Sequence, residues 1–82
     1  MNLRDLELFC EVAHLGSFSK AAKAHGMSQP AASEIVKAIE EKLGCELLNR
    51  SVRPLELTPE GAVYYDGCRQ LLDDYRRLED RV

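Results

Sequence analysis

The last third of the chain carries the pattern that most limits its fold. Tyr64, Cys68, Leu71, Tyr75, Leu78 and Val82 recur at alternating spacings of four and three residues. That is the seam of a helix that packs along another helix. Tyr65 and Leu72 form a second stripe beside it, and Thr58 followed by Pro59 supplies an N-cap and a first helical residue. A helix running from 59 to 82 is roughly 35 Å long at 1.5 Å per residue. A chain of 82 residues has too small a body to cover all of it. Part of the seam therefore calls for a second copy, and dimerisation adds buried area that one domain of this size lacks. The six seam residues are the expected dimer interface. Packing there is a better reading of Tyr64 and Tyr75 than stacking on a base. Asp66–Arg69 and Asp73–Arg77 are the expected pairs of the exposed face.

Glycines punctuate the rest. Leu6, Phe9, Cys10 and Ala13 mark the buried stripe of a first helix, Leu3 to Leu15, which Gly16 ends. Ser19 is the expected N-cap of a short second helix that stops at Gly26, with small Ala21 and Ala22 allowing close approach. Ser28 caps a third helix with Pro30 in its first turn. Ala32, Ile35, Val36, Ile39 and Leu43 form its buried stripe, and Gly44 ends it. Pro30, Ser33, Glu34 and Lys37 lie opposite, with Gln29 and Glu41 near them. From Cys45 to Leu57 the helical period fails. Leu47-Leu48 and Leu55-x-Leu57 flank Asn49-Arg50-Ser51-Val52-Arg53-Pro54, which reads as two short strands and a basic turn.

A short helix, a tight turn and a longer Ser-capped helix make a helix-turn-helix, and the hairpin after it makes a wing. The fold class is thus mainly α: a winged helix-turn-helix, with a three-helix core and a two-stranded wing, plus a long C-terminal dimerisation helix. Residues 1–58 are expected to form the DNA-binding domain and 59–82 the linker and dimerisation helix. In this arrangement the second helix of the motif, residues 28–43, enters the major groove by its N-terminus. Its first turns must offer short polar groups to phosphates and base edges. Ser28, Gln29, Ser33 and Lys37 meet that need, and Gln29 suits adenine N6 and N7. Arg50 and Arg53, on a wing spanning 49–54, could reach the flanking backbone or minor groove.

Charge is permissive rather than supportive. The net charge is −3, against the basic balance common in nucleic-acid binders. Residues 17–58, however, carry six basic and five acidic side chains, so the acidic excess lies at the two ends. Cys10, Cys45 and Cys68 are odd in number and lack C-x-x-C spacing. Reduced, mostly buried thiols are expected, with no disulfide framework and no metal site, even counting His14 and His25. No stretch approaches the roughly 18 apolar residues of a membrane span, and the N-terminus has no apolar signal core. Ser17, Ser19 and His14 show no nucleophile elbow or triad spacing, so the serines are caps and no enzyme or cofactor is expected.

Four stretches together resemble a known family. They are Ser17-Phe18-Ser19-x-Ala21-Ala22, Ser28-Gln29-Pro30-Ala31-x-Ser33, Leu43-Gly44-x-x-Leu47-Leu48-x-Arg50 and Leu57-Thr58-Pro59-x-Gly61. In order and spacing they are similar to the N-terminal part of LysR-type transcriptional regulators. The resemblance implies a bacterial transcription factor, a winged helix-turn-helix and a linker helix pairing two subunits. It carries DNA contacts to Ser28, Gln29, Pro30, Ser33, Arg50 and Arg53. It also implies a large effector-binding domain beyond Val82, so a small-molecule effector would act only through that part. The chain departs from the family at Glu34-Ile35, where Arg-Gln is common, and at His25, where leucine is usual. Glu34 is carried as a specificity residue able to accept from cytosine N4, against a solvated surface charge. His25 reads as a half-buried structural histidine.

The expected function is sequence-specific binding of double-stranded DNA as a homodimer on a dyad-symmetric operator, in the bacterial cytoplasm at the nucleoid. No membrane partner is expected, and a tetramer stays open for the full-length protein. The competing reading is a helical dimerisation or protein-interaction module without DNA binding, motivated by Glu34 and the acidic balance.

Overall fold

The computed structural model describes residues 2–82. Its elements run α1 (Leu3–Leu15), α2 (Phe18–Ala24), α3 (Gln29–Leu43), β1 (Leu48–Asn49), β2 (Glu56–Leu57) and α4 (Pro59–Asp80). This is a three-helix body with a two-stranded wing and a long final helix. Each helix starts at a side chain that accepts from an N–H of the first turn: Asn2, Ser17, Ser28 and Thr58. The cap of α2 departs from expectation. Ser17, not Ser19, accepts from the Lys20 N–H, at 3.1 Å. Gly16 turns the chain through φ 64°, and Ser17 leaves in the extended conformation that a cap requires. Phe18 thereby enters the helix and packs against the core.

α1 is the hub, packed against α2, α3 and α4. Being covered on several sides, it buries a broader band than one stripe. Leu6, Leu8, Phe9 and Val12 are buried, whereas Cys10 and Ala13, expected inside, are half-buried. On α3 the stripe of Ala32, Val36 and Ile39 holds, with Ile35 half-buried. Leu43 is exposed, and the residue buried on that last turn is Glu40.

The wing strands are shorter than their leucines suggested. β1 pairs antiparallel with β2 only at Leu48 opposite Leu57 and Asn49 opposite Glu56. Leu47 and Leu55 are buried beside them as anchors. The Leu55 N–H donates to the Gly16 carbonyl at 2.9 Å, tying the far strand to the end of α1. A Cβ at Gly16 would stand 2.6 Å from Pro54 Cβ, on backbone that already disfavours side chains.

The first half of α4 belongs to the body. A Cβ at Gly61 would meet the Leu47 carbonyl oxygen at 1.9 Å, so α4 crosses that backbone only because the residue is glycine. Tyr64 and Tyr65 meet Phe9 edge-on, at 5.5 and 6.5 Å between ring centroids. Cys68 and Leu72 are buried. The proposed seam is therefore divided. Tyr64 and Cys68 pack within the chain, and from Cys68 the inward face continues to Leu72, about 40° away at 100° per residue, rather than to Leu71. Leu71, Tyr75 and Leu78 stay 49%, 43% and 55% exposed, and Val82 is fully exposed. The charged face pairs as Asp73–Arg76 at 3.3 Å and Asp74–Arg77 at 4.0 Å, not as expected. Arg69 lies over the Tyr65 ring at 5.6 Å instead.

Candidate nucleic-acid interface

The start of α3 stands clear of the body. Ser28, Gln29, Pro30, Glu34 and Lys37 are exposed and Ser33 is half-buried. Ser28 Oγ accepts from the Ala31 N–H at 3.2 Å, which leaves its own hydroxyl hydrogen to donate outward. Pro30 has no N–H and the Ala31 N–H is capped, so Gln29 supplies the backbone donor of this turn. The Gln29 side chain is oriented by α2: its Oε1 accepts from Ser19 Oγ at 3.3 Å. Displaced from capping, Ser19 thus acquires a different task. The bond leaves the Gln29 amide N–H groups and a second lone pair on Oε1, enough for a donor–acceptor pair with a base edge. At the start of α4, Thr58 Oγ1 accepts from the Gly61 N–H and donates to the Glu46 carbonyl, so Glu60 is the residue whose N–H faces outward there.

The two wing arginines sit differently from each other. Arg53 is exposed, and its Nη1 donates to the Arg50 and Val52 carbonyls, which curls the side chain along the wing. Asn49 Oδ1 accepts from the Ser51 N–H and Oγ, closing the turn. Arg50, expected to reach the phosphate backbone, is half-buried and turns its guanidinium toward Glu40. Nη2 donates to Glu40 Oε1 at 2.8 Å and Nη1 to Glu40 Oε2 at 3.2 Å. Its Cζ also lies 5.3 Å from the centroid of the Phe18 ring. Glu40 Oε2 further accepts from the Leu47 and Leu48 N–H groups, at 2.7 and 3.3 Å. Burial alone would raise the Glu40 carboxyl, but the Arg50 fork, the Arg50 charge and the two amides outweigh it and hold it below its ordinary 4.5.

Glu40 was missed in the sequence, although a signal existed. It stands four residues after Val36 and next to Ile39, on the apolar stripe, where an unpaired acid would be costly. Among the described residues the ion pairs engage Arg50, Arg76 and Arg77. Lys20 and Lys23 on α2, Lys37 on α3 and Arg53 on the wing are exposed and lie outside those pairs. Arg4, Lys42, Arg69 and Arg81 are exposed and outside those pairs as well, so the unpaired cations include, but are not confined to, the helix-turn-helix and wing.

The remaining candidates describe packing. His25 is the half-buried cap at the end of α2. It lines a groove of about 480 Å³ with His14, Glu7 and Glu11 of α1 and Arg69 and Arg76 of α4. Cys10, Cys68 and Tyr64 are neighbours between α1 and α4. Burial, then the adjacent Cys68 thiol, pushes the Cys10 thiol up to about 12. Burial also raises Cys68 and Tyr64. Such thiols are poor nucleophiles and poor metal ligands near neutrality. Among the described residues no cluster of three or more His, Cys, Asp and Glu could hold a metal ion. No helix there is long and apolar enough to cross a membrane.

Comparison with known proteins bears on this surface. The family described as "Bacterial regulatory helix-turn-helix protein, lysR family" matches residues 3–62. The "HTH-type transcriptional regulator CrgA" of Neisseria meningitidis serogroup C (strain 8013) is 45% identical over 81 residues, covering 99% of this chain and 27% of that protein. The chain thus spans about a quarter of the length of the curated relatives it matches. The crystal structure of the "BenM_DBD/benA site 1 DNA Complex" superposes with a TM-score of 0.95 at 37% identity, covering 99% of this chain and 91% of that one. The "CbnR_DBD-DNA complex" superposes with a TM-score of 0.90 at 38% identity, covering 99% and 93%.

Proposed function

The chain belongs to the LysR family of bacterial regulatory helix-turn-helix proteins, and from that premise we propose how its winged helix-turn-helix DNA-binding domain, a regulatory module and not an enzyme, reads its site. It binds as a homodimer. α3 enters the major groove by its N-terminus, with Gln29, Pro30, Ser33 and Glu34 against base edges and Ser28 and Lys37 on the flanking phosphates. Arg53 lies along the adjacent backbone or minor groove. The observation that carries the reading is the exposed first turn of α3, where Ser19 already orients Gln29 before any partner arrives. Preorganised side chains lose less freedom on binding.

Residues 59–82 act as the dimerisation helix. Its first half is committed to the body, so Leu71, Tyr75, Leu78 and Val82 are the part of the seam left for a second copy. Two reading helices related by a dyad suit half-sites about one helical turn apart, roughly 34 Å, or a multiple of that. The whole protein is a bacterial transcription regulator working in the cytoplasm at the nucleoid. Any small-molecule effector, and any tetramer, would depend on segments outside these residues.

Site selection from a randomised duplex pool with variants tests the assignment of roles. Gln29→Ala and Glu34→Ala should change which bases are enriched. Arg53→Ala should weaken all sequences alike and lower the salt slope. Unchanged base preference in both α3 variants would remove α3 from the reading role.

A further inference from the structure

We infer that Glu40 and Arg50 are positioning residues for DNA recognition: their ion pair fixes the wing to the recognition helix, and Arg50 acts through Glu40 rather than on phosphate. The inference rests on the DNA-binding reading of this face. It starts from where the pair sits. Glu40 is on the last full turn of α3, and its carboxylate accepts four hydrogen bonds, two from the Arg50 fork and two from the amides that lead into β1. One side chain of the reading helix thus grips the wing at Leu47, Leu48 and Arg50. The other face of the guanidinium lies against Phe18, so the start of α2 is joined to the same node.

The burial of Glu40 favours this role over direct contact. Glu40 is only 8% exposed and the Arg50 side chain 36%. For Arg50 to swing out to a phosphate, it would have to leave a buried carboxylate with its charge uncompensated. Breaking a buried pair from one side is the costly way to break it. Nη1 and Nη2 each give one N–H to Glu40 in the bidentate geometry that arginine holds best, so the plane and reach of the guanidinium are set by the carboxylate even though other N–H groups stay unused. The consequence reaches the other wing arginine. Arg53 Nη1 is held by the Arg50 and Val52 carbonyls, so the Arg53 charge is placed by the segment that Glu40 anchors. The pair therefore sets the separation between the wing cation and Gln29 at the far end of α3.

Phosphate contact and positioning leave different traces in salt dependence. Each phosphate neutralised contributes about −0.9 to the slope of log affinity against log salt, so losing Arg50 as a contact would flatten the slope of a dimer by about two. A positioning residue changes affinity and leaves the slope alone. The experiment measures binding of this chain and of Glu40→Gln, Arg50→Met, Arg50→Lys and the double Glu40→Gln/Arg50→Met variant. The probe is the duplex that the unmutated chain enriches from a random pool, at four salt concentrations, with folding checked by circular dichroism. We expect all three single variants to lose about 3- to 30-fold with slopes unchanged, and the double variant to be no worse than the weaker single. Arg50→Lys keeps the charge but not the fork. It is the mildest change, and decides the matter should the others fold poorly. Its retention of full affinity, a slope flattened by about two in Arg50→Met, or tighter binding by Glu40→Gln through a freed arginine would each overturn the inference. Failure of the unmutated chain to bind any duplex is a separate result, against the DNA reading itself.

Discussion

Two glycines on α4 should respond to the same substitution with opposite signs. At Gly61 an added methyl would stand 1.9 Å from the Leu47 carbonyl oxygen, 2.8 Å from its carbon and 3.1 Å from its Cα. All three are backbone atoms, so no rotamer change relieves the contact. Restoring even a 3.0 Å separation requires the start of α4 and the entry to β1 to move apart by about 1 Å. Two hydrogen bonds span that gap: the Thr58 N–H to the Leu47 carbonyl at 3.0 Å, and Thr58 Oγ1 to the Glu46 carbonyl at 2.6 Å. Overpacking costs about 1–3 kcal/mol, and each weakened bond up to about 1 kcal/mol. The gain in helix propensity from glycine to alanine is at most about 1 kcal/mol. Gly61→Ala should therefore destabilise the chain by about 2 kcal/mol. At Gly67, in the same helix, a methyl meets nothing within 4 Å, so Gly67→Ala should stabilise it by up to about 1 kcal/mol. Urea unfolding of both variants at one fixed protein concentration reads the difference. Equal stability of the two, or Gly61→Ala at least as stable as the parent, would refute the close crossing of α4 over Leu47.

Three further outcomes follow from the same structure. Leu78→Asp should weaken self-association at least about a hundredfold while leaving helix content intact, as seen by sedimentation; burying a half-exposed leucine removes on the order of 100 Å² from water, worth about 2 kcal/mol in each subunit. The Glu40 carboxyl titrates below its unfolded 4.5, so its contribution to stability is full above that pH and is lost as pH falls through the folded value. Glu40→Gln should accordingly flatten the acid limb of a stability–pH curve; an unchanged limb would contradict the pairing. Cys10 runs the other way: its thiol is raised from 9.0 to about 12, so that stability is present below pH 9 and declines above it, and alkylation of Cys10 at pH 8 should be at least about tenfold slower than in urea-unfolded chain.

Much of this architecture is legible in the sequence because local chemistry and tertiary need agree. Gly16 and Gly44 stop helices where left-handed backbone is required, and Ser28 and Thr58 start them. The misplaced cap at Ser19 shows the limit: Ser17 and Ser19 are equally good acceptors, and only the turn at Gly16 selects the first. The division of the α4 seam was hidden for a related reason. Heptad spacing from Tyr64 to Val82 is continuous, but the body occupies one end of it, and a shift from Leu71 to Leu72 separates inside from outside. Glu40 shows a different gap. Its position on the apolar stripe was visible, yet the fourfold satisfaction that makes an acid acceptable there depends on Leu47, Leu48 and Arg50 returning across the wing. Arg50 reads from sequence as a free cation for the same reason.

The most direct measurement is selection by this chain from a randomised duplex pool, sequenced after rounds at two salt concentrations. The account predicts enrichment of a dyad-symmetric site with half-sites about one turn of DNA, or a multiple of it, apart, bound by two copies of the chain, with affinity falling as salt rises. A folded, dimeric chain that enriches nothing at low salt would contradict it, and would make residues 1–82 a dimerisation module that does not read DNA.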